Sequence, residues 1–333
     1  MHLEYIYVMK KVLVAGAGGF IGGHLVKELI SQGNEVVAVD IKEFKDWHQL
    51  HPEAKNFSRD LALLNESEKS VHGIDEVYNL AADMGGMGFI EKNKAACMLS
   101  VLINTHLLMA SRRSKVKKYF FASSACVYNA QKQQHAKSDG LKESDAYPAL
   151  PEDGYGWEKL FSERMCRHFF EDYGLEVRIG RYHNVYGPFG TWHGGREKAP
   201  AAICRKIALA VLSDKEDLEI WGDGNQTRSF TYISDAIHGT LKLMESNFQE
   251  PINIGSDQMV TINEMVDLIE SYEQVRLSRI YNLDAPLGVR GRNSDNSLIL
   301  ATLNWQPSVK LEEGLKKTYF WIKDELQKEF NIN

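Results

Sequence analysis

Cysteine and positive charge are both scarce in this 333-residue sequence. The formal net charge is −6 at pH 7, so the composition offers no basic surplus for wrapping nucleic acid. Only four cysteines occur, at Cys97, Cys126, Cys166 and Cys204. They show neither C-x-x-C spacing nor clustering with histidines, which argues against a zinc site and a disulfide framework and favours a reducing cytoplasm.

Export signals and long apolar runs are missing too. The start, MHLEYIYVMKK, has no charged region followed by a long apolar run, and we find no stretch of the ~18–20 apolar residues that a membrane span needs. The hydrophobic content of 44% can fill the core of one large or two medium domains. We therefore expect a globular cytoplasmic protein without a membrane partner.

The first half of the chain alternates strand-like and helical segments, which predicts an α/β fold with a Rossmann-type doubly wound parallel sheet. The strand-like runs are KVLVAGA, EVVAVD, DEVYNLAA, KYFFASS and LEVRIGRY. From about residue 181, Gly, Pro, Trp and short strands interrupt this pattern. We predict a Rossmann domain over residues 1–180, with a return segment near 228–250, and a smaller C-terminal α/β substrate-binding domain over 181–333.

A glycine-rich turn joins the first strand to the first helix. VLVAGAGGFIGGHL places Gly16, Gly19 and Gly22 where backbone N–H groups and a helix N-terminus can approach a pyrophosphate. Asp40 ends the next strand, where a carboxylate accepts hydrogen bonds from ribose hydroxyls and repels a 2′-phosphate. This pattern favours NAD over NADP, with a solvated strand-end carboxylate as the alternative role of Asp40.

Tyr155 and Lys159 in DGYGWEKL share one helix face, because they stand at i and i+4. A lysine ammonium beside a phenol stabilises the phenolate. It is therefore expected to lower the pKa of Tyr155, as a general base for an alcohol requires. YxxxK spacing is common by chance, so it indicates a catalytic tyrosine only in combination with the glycine turn.

Together with NLAA at 79–82 and SSACVY at 123–128, these motifs resemble the extended short-chain dehydrogenase/reductase family, whose members act on nucleotide sugars. The resemblance spans almost the whole chain and implies NAD as cofactor. It makes Ser124 the partner of Tyr155 and Lys159, and Asp60 a cap for the adenine amino group, with an ordinary loop aspartate as the alternative. The implied cofactor-binding residues are Gly16, Gly19, Phe20, Ile21, Gly22, Asp40, Asp60, Leu61, Leu80, Ala81, Ala82, Tyr155 and Lys159.

Longer segments narrow the resemblance to 3,5-epimerases of GDP-hexoses; they are LAADMGGMGFI, ASSACVY, YGPFGTW, GGREKAPAA, QTRSF and VRGRNSD. Related 4,6-dehydratases carry Asp-Glu where this chain has Ala125 and Cys126, so elimination lacks its usual acid. Simple 4-epimerases need no titratable group at this point. The resemblance therefore implies catalytic roles for Cys126 and Lys198 beside the Ser-Tyr-Lys triad.

Carbonyl chemistry explains why two more titratable groups are useful. Oxidation at C4 of the hexose, with hydride passing to NAD and later returning, gives a transient 4-ketone that acidifies the C–H bonds at C3 and C5. Inversion needs a base on one ring face and an acid on the other. We expect Cys126 and Lys198 in these roles. The alternatives are a small buried hydrophobe and a surface lysine.

The resemblance also implies contacts with the nucleotide sugar from RYHNVYGP at 181–188 and WGDGNQTRSFTYISD at 221–235. Lys206 and Arg292 suit a pyrophosphate, although either could be a surface cation. We expect no metal. The predicted substrate-binding residues are Met84, Gly85, Ser124, Ala125, Cys126, Asn184, Glu197, Lys198, Ala199, Lys206, Gln226, Arg228 and Arg292.

The family usually dimerises through the helix near 93–113 and the YxxxK helix, and LSVLINTHLLMA is apolar enough for this, so we expect a homodimer. Rival functions are a nucleotide-sugar 4-epimerase, a 4,6-dehydratase and a non-catalytic NAD-binding regulator. The guanine base rests on the resemblance alone. His183 and His193 are expected to do no chemistry, and Cys97, Cys166 and Cys204 to pack helices.

Overall fold

A computed structural model describes residues 9–330 except residue 287. Seven parallel strands form the central sheet in the order β11-β6-β5-β4-β1-β2-β3. The strands are β1 Lys11–Ala15, β2 Glu35–Asp40, β3 Lys55–Ser58, β4 Glu76–Asn79, β5 Lys118–Ser124, β6 Glu176–Tyr182, β7 Val185–Tyr186, β8 Asp217–Trp221, β9 Thr227–Ser229, β10 Thr231–Tyr232, β11 Pro251–Ile254, β12 Met259–Thr261, β13 Ser278–Asn282 and β14 Gly291–Arg292.

Helices cover both faces of this sheet, which confirms the predicted Rossmann-type α/β class. The helices are α1 Phe20–Ser31, α2 Leu64–Val71, α3 Met87–Ile90, α4 Lys94–Leu99, α5 Val101–Arg113, α6 Tyr155–Tyr173, α7 Ala199–Leu212, α8 Ile233–Glu245, α9 Ile262–Glu273, α10 Ser297–Leu303 and α11 Leu311–Phe330. Short 3-10 turns occupy Phe44–Asp46, Ala125–Val127, Ala130–Gln133 and Glu143–Ala146.

Alternate residues of β1 serve two separate cores. Val12 and Val14 point to the face covered by α1 and α8, whereas Leu13 and Ala15 point to the face covered by α2, α5 and α6. Side chains alternate along a strand, so a strand buried on both faces reads as the continuous apolar run KVLVA. The doubly wound arrangement is therefore visible in the sequence of a single strand.

The chain leaves the sheet after β6 and returns to it through α8 and β11. β11 pairs in parallel with β6, so that Ile252 faces Gly180 and Ile254 faces Tyr182. The return therefore runs to Ile254, beyond the predicted 228–250. Between these strands lies α7, which packs with α9, α11 and β8. Ile203 and Ile207 of α7 belong to the same hydrophobic core as β1, so the two parts share one interior.

The helical segment Lys94–Arg113 is long and apolar enough to span a membrane by length and composition alone. The expectation that no stretch of the sequence reaches this threshold is therefore wrong. In the fold, α5 packs against α2 and α6, and its Leu107 and Leu108 are fully buried in the protein core. Only 39% of the apolar window is buried in the fold, so the described chain covers this segment in part.

Candidate active site

A cavity of about 750 Å³ opens at the carboxyl ends of the sheet strands, beside the point where the strand order reverses between β1 and β4. Open α/β sheets bind their ligands at this position. Every predicted cofactor-binding residue lines the cavity. So do Met84, Ser124, Arg196 and Lys198, whereas Cys126 is absent from the lining residues of the described chain. The cavity therefore joins the predicted cofactor residues to all of the predicted catalytic residues except Cys126.

The glycine turn brings backbone groups close to one another at the start of α1. Gly16 has φ +83°, and its N–H donates to the Val39 carbonyl at 2.8 Å. A Cβ at Gly22 would lie 2.1 Å from the Gly16 carbonyl oxygen, so any side chain there forces the turn apart. The N-terminus of α1 is consequently held at the cavity wall, where its free N–H groups suit a pyrophosphate.

Asp40 fits the ribose-binding role predicted for it. Its Oδ2 accepts the Gly18 N–H at 3.0 Å and its Oδ1 accepts the Lys42 N–H at 3.1 Å, which fixes the carboxylate at the cavity edge. Asp60 lies across the same end, and its Oδ1 accepts the Ala62 N–H at 2.9 Å. The glycine cradle and a fixed carboxylate fit an NAD dinucleotide.

Ser124, Tyr155 and Lys159 meet at the middle of the cavity. Ser124 ends β5 and hydrogen-bonds Tyr155, whose ring centroid lies 5.5 Å from the Lys159 ammonium. Lys159 Nζ also lies 3.6 Å from Glu158 Oε2. Burial, with Cys126 and Glu158, raises the pKa of Tyr155 well above its usual value. Ser124 lowers this pKa, but desolvation is the largest influence, so the net direction is opposite to the lowering expected from Lys159.

Cys126 occupies the 3-10 turn that follows β5, and the Ser124 hydroxyl accepts its N–H at 3.2 Å. The side chain is buried with Ile90, Cys97 and Tyr155. Burial and the Glu152 carboxylate raise the pKa of its thiol to about 11, whereas Arg292 and Ser124 lower it. The resting thiol is therefore protonated at neutral pH.

Lys198 reaches the same point from the N-cap of α7. Burial lowers the pKa of its ammonium, while Cys126 raises it. The loop that carries it is attached to the loop after β4, because the Gly86 N–H donates to the Arg196 carbonyl at 3.0 Å. Arg196 also pairs with Asp83 at 2.6 Å and stacks 3.7 Å from the Phe89 ring centroid. Arg196 thus joins the two loops around the sugar end of the cavity.

Arg292, predicted to bind a pyrophosphate, lies beside the thiol instead. Its Nη1 is 3.6 Å from Cys126 Sγ, its Nε donates to Gln133 Oε1 at 2.6 Å, and its Nη2 pairs with Glu152. This position places the guanidinium at the catalytic end. Sequence reasoning missed Glu152 and Gln133, since no local pattern marks them as partners of an arginine that lies far along the chain.

The remaining predicted substrate residues form a second group. Asn184 has φ +43° and donates to the Ser229 carbonyl at 2.9 Å. Gln226 donates to the Trp221 carbonyl at 2.9 Å, and its buried Oε1 has no partner within residues 9–286 and 288–330. Arg228 is electrostatically coupled to Arg292 and Cys126. In the described chain, Asn184, Gln226 and Arg228 lie outside the residues that line the cavity.

Other predicted residues lie on the loops and helix ends around these groups. Lys206 pairs outward with Glu219 at 2.9 Å, and Glu197 accepts from Arg205 at 3.1 Å. Ala199 begins α7, Ala125 is buried in the 3-10 turn and Gly85 packs against Phe89. Lys206 is thus held by Glu219 and, within the described residues, is absent from the cavity lining.

Most of the residues that we expected to do no chemistry are buried in the fold. His183 is fully buried, and burial lowers the pKa of its imidazole to about 3, although the contact with Asn253 Oδ1 at 2.9 Å raises this pKa. Cys97, Cys166 and Cys204 are fully buried free thiols in α4, α6 and α7. Within residues 9–286 and 288–330, no three His, Cys, Asp or Glu side chains form a group suited to a metal ion.

The Rossmann sheet, the glycine cradle and the Ser-Tyr-Lys group define a dinucleotide-dependent enzyme. A family model described as the NAD dependent epimerase/dehydratase family matches residues 12–255, and the chain belongs to this family. It is 48% identical over 320 residues to GDP-mannose 3,5-epimerase of Arabidopsis thaliana, covering 96% of this chain and 84% of the relative. It is also 48% identical over 326 residues to GDP-mannose 3,5-epimerase 1 of Oryza sativa subsp. japonica, covering 96% and 83%.

Solved structures of related enzymes share the fold. UDP-glucose 4-epimerase of Thermotoga maritima, solved with UDP-glucose, has a TM-score of 0.85 at 27% identity, covering 95% of this chain and 99% of its own. UDP-glucuronic acid 4-epimerase of Bacillus cereus, in complex with UDP-glucuronic acid and NAD, has a TM-score of 0.80 at 29% identity with the same coverage. NAD is accordingly the cofactor of this fold and of this chain.

Proposed function

We propose that the protein is a GDP-mannose 3,5-epimerase that converts GDP-D-mannose to GDP-L-galactose, with GDP-L-gulose as the C5-only product when release precedes the second inversion. The observation that carries this proposal is a thiol, Cys126, held beside Ser124 and Arg292, with Lys198 lining the same cavity as the triad; a 4-epimerase has no use for this thiol and this amine. The 48% identity to two plant GDP-mannose 3,5-epimerases supports the guanine nucleotide.

The triad prepares the sugar for inversion. NAD, when bound in the cradle, supplies the hydride acceptor and donor at C4. Tyr155 takes the proton of the C4 hydroxyl, Ser124 holds that oxygen and Lys159 stabilises the phenolate by its nearby charge. Tyr155 must enter this step as the phenolate, having first lost its own proton; burial raises its pKa and opposes this form, whereas the positive charges of Lys159 and of bound NAD would favour it. The product of this step is a 4-ketone.

Cys126 and Lys198 then act on the carbons that flank the ketone. The thiolate of Cys126 removes the proton from C5 or C3, and the electron pair of the C–H bond moves into the enolate. The Lys198 ammonium delivers a proton to the opposite face, so that the configuration inverts. Burial lowers the pKa of Lys198, which makes it a readier proton donor than an exposed lysine. Each such group contributes a rate factor of about 10²–10⁴.

Turnover in D₂O tests the proposal. A 3,5-epimerase incorporates deuterium at both C3 and C5 of the GDP-hexose, which NMR of the isolated product detects. A 4,6-dehydratase would instead give a 6-deoxy-4-keto sugar labelled at C5 but not at C3, because C6 receives the returned hydride and C5 receives a solvent proton. An unlabelled C4 epimer would identify a 4-epimerase. A protein that binds NAD but neither labels nor converts the GDP-hexose would be a non-catalytic regulator.

We also propose that the protein is a cytoplasmic homodimer that needs neither nucleic acid nor membrane. Met98 and Leu102 on α4 and α5, and Trp157 and Phe161 on α6, are between 39% and 54% exposed at i, i+4 spacing. Both α4 and α5 pack against α6, and such an apolar face is what a four-helix dimer interface buries. Light scattering of the protein and of Phe161→Glu tests this state: the wild type should be a dimer and the variant a monomer.

A further inference from the structure

Glu152 lies in a buried ion pair directly beside the Cys126 thiol. Its carboxylate pairs with Nη2 of Arg292, and its backbone N–H donates to the Cys126 carbonyl at 3.0 Å. Nη1 of the same guanidinium is 3.6 Å from Sγ. Burial opposes the ionisation of Glu152, but Arg292 holds its pKa below the usual value, so the carboxylate is charged.

The second oxygen of this carboxylate is available to the thiol. Glu152 Oε2 is buried and has no hydrogen-bond partner in the part of the chain that the structure describes. A buried acceptor is costly when unsatisfied, and the Cys126 side chain lies against this carboxylate. The thiol S–H can satisfy the oxygen, whereas a thiolate would place two anions in contact. Glu152 therefore favours the protonated form of Cys126.

The other groups around the sulfur favour the thiolate or are neutral. Arg292 and Lys198 bring positive charge from β14 and α7, and Ser124 is a hydrogen-bond donor from β5. Glu152 is the carboxylate that acts against them. The titratable and charged groups that face Cys126 from the elements packed around it are Cys97, Glu152, Tyr155, Lys198, Arg228 and Arg292.

We propose that Glu152 is a positioning residue that clamps Arg292 against Cys126 and keeps the thiol protonated in the resting enzyme, so that it sets the pH at which Cys126 becomes a base. The catalytic meaning of this clamp rests on the proposed function. The thiolate is the form of cysteine that reacts with electrophiles. By keeping Cys126 protonated, Glu152 therefore also protects the thiol from modification between turnovers.

Alkylation of the thiol tests the clamp without any sugar. The purified holoenzyme is treated with iodoacetamide across a pH series, and modification of Cys126 is followed by peptide mass spectrometry. Glu152→Gln should lower the titration midpoint of the thiol by about 1 pH unit or more, which makes alkylation about tenfold faster at a fixed pH below that midpoint. Arg292→Gln should raise the midpoint, because it removes the cation and leaves Glu152 uncompensated.

The alkylation midpoint should move in opposite directions in Glu152→Gln and Arg292→Gln if the effect is electrostatic. Damage to the fold would move both midpoints in the same direction. Glu313→Gln removes a negative charge from exposed α11 and should leave the midpoint unchanged. An unchanged or raised midpoint in Glu152→Gln overturns the proposal. If that variant does not fold, Arg292→Gln decides, and a midpoint that falls or stays constant overturns it.

The pH dependence of turnover gives a second measurement. In Glu152→Gln the acid limb of kcat with GDP-mannose should move to lower pH by the same interval as the alkylation midpoint. An unmoved acid limb beside a lowered midpoint contradicts the link between the clamp and catalysis. If the wild type does not turn over GDP-mannose at all, the proposed function fails while the alkylation experiment still tests the clamp.

Discussion

The two ends of the cavity are built in different ways. At the cofactor end, Gly16, Gly22 and Asp40 belong to one continuous strand-turn-helix-strand unit, and backbone hydrogen bonds join the glycine turn to the end of β2. At the sugar end, Cys126, Lys198 and other side chains converge from β5, α6, α7, β14 and the loops between them. The cofactor end is therefore a local structure, whereas the sugar end exists only when the whole chain is folded.

The largest expected effect breaks the sugar end alone. Cys126→Ser should reduce formation of GDP-L-galactose by about 10²–10⁴-fold, because a hydroxyl is too weak a base for the C–H bonds beside a ketone. Deuterium incorporation at C3 and C5 should fall equally, as measured by NMR. The content of bound NAD should stay at the wild-type level.

Cys97→Ser is the matched control, since Cys97 is a second buried thiol of the same cluster. It should keep most of the activity. Full activity in Cys126→Ser would show that the sugar end does not supply the catalytic base, and would contradict the difference between the two ends.

Gly22→Ala should break the cofactor end. The added Cβ would lie 2.1 Å from the Gly16 carbonyl oxygen, so the turn must open and the affinity for NAD should fall about 10- to 100-fold. Fluorescence titration with the dinucleotide measures this loss. The alkylation midpoint of Cys126 should not change, and a shifted midpoint would show that the two ends are coupled.

The alkaline side of the pH profile sharpens the comparison. Lys198 must carry a proton to donate it, and burial lowers its pKa from the usual 10.5. The rate should therefore fall as pH rises through this lowered pKa. Lys198→Arg stays protonated, so its alkaline limb should move upward while the maximum rate drops about tenfold. The measurement is kcat from about pH 6 to 10. An alkaline limb that stays at the wild-type pH in Lys198→Arg contradicts the role of Lys198 as the proton donor.

The smallest effect is expected from Arg196→Ala. This change removes the contacts with Asp83 and Phe89 that join the two loops of the sugar end. Both partners of the ion pair are nearly half exposed, so we expect kcat to fall only about two- to fivefold. An unchanged kcat from chromatographic assays would show that Gly86 and its backbone hydrogen bond suffice to hold the loops.

The cofactor end was predictable from sequence because its signals are local. The apolar run of β1, the glycine spacing and the carboxylate after β2 follow one another along the chain, and all thirteen predicted cofactor residues line the cavity. Backbone geometry determines such a site, and glycines report that geometry directly.

The sugar end was predictable only in part. The resemblance supplied Cys126 and Lys198, but the partners of Arg292 lie 140 and 159 residues from it in sequence, beyond the reach of any spacing argument. The pKa of Tyr155 was misjudged for a related reason. Pairwise reasoning counted the nearby lysine but not the desolvation that burial imposes, which only the packed structure reveals.

The parallel pairing of β11 with β6 has a consequence for how this architecture can change. Most of the segment that carries Asn184, Lys198 and Gln226 is inserted into the Rossmann unit, with both of its ends anchored in neighbouring strands. A truncation after residue 182 would strip away α8 and leave β6 as a bare, aggregation-prone margin. A new sugar specificity is thus best acquired by exchanging the segment between β6 and β11. A hybrid enzyme would need one junction at each of these two strands.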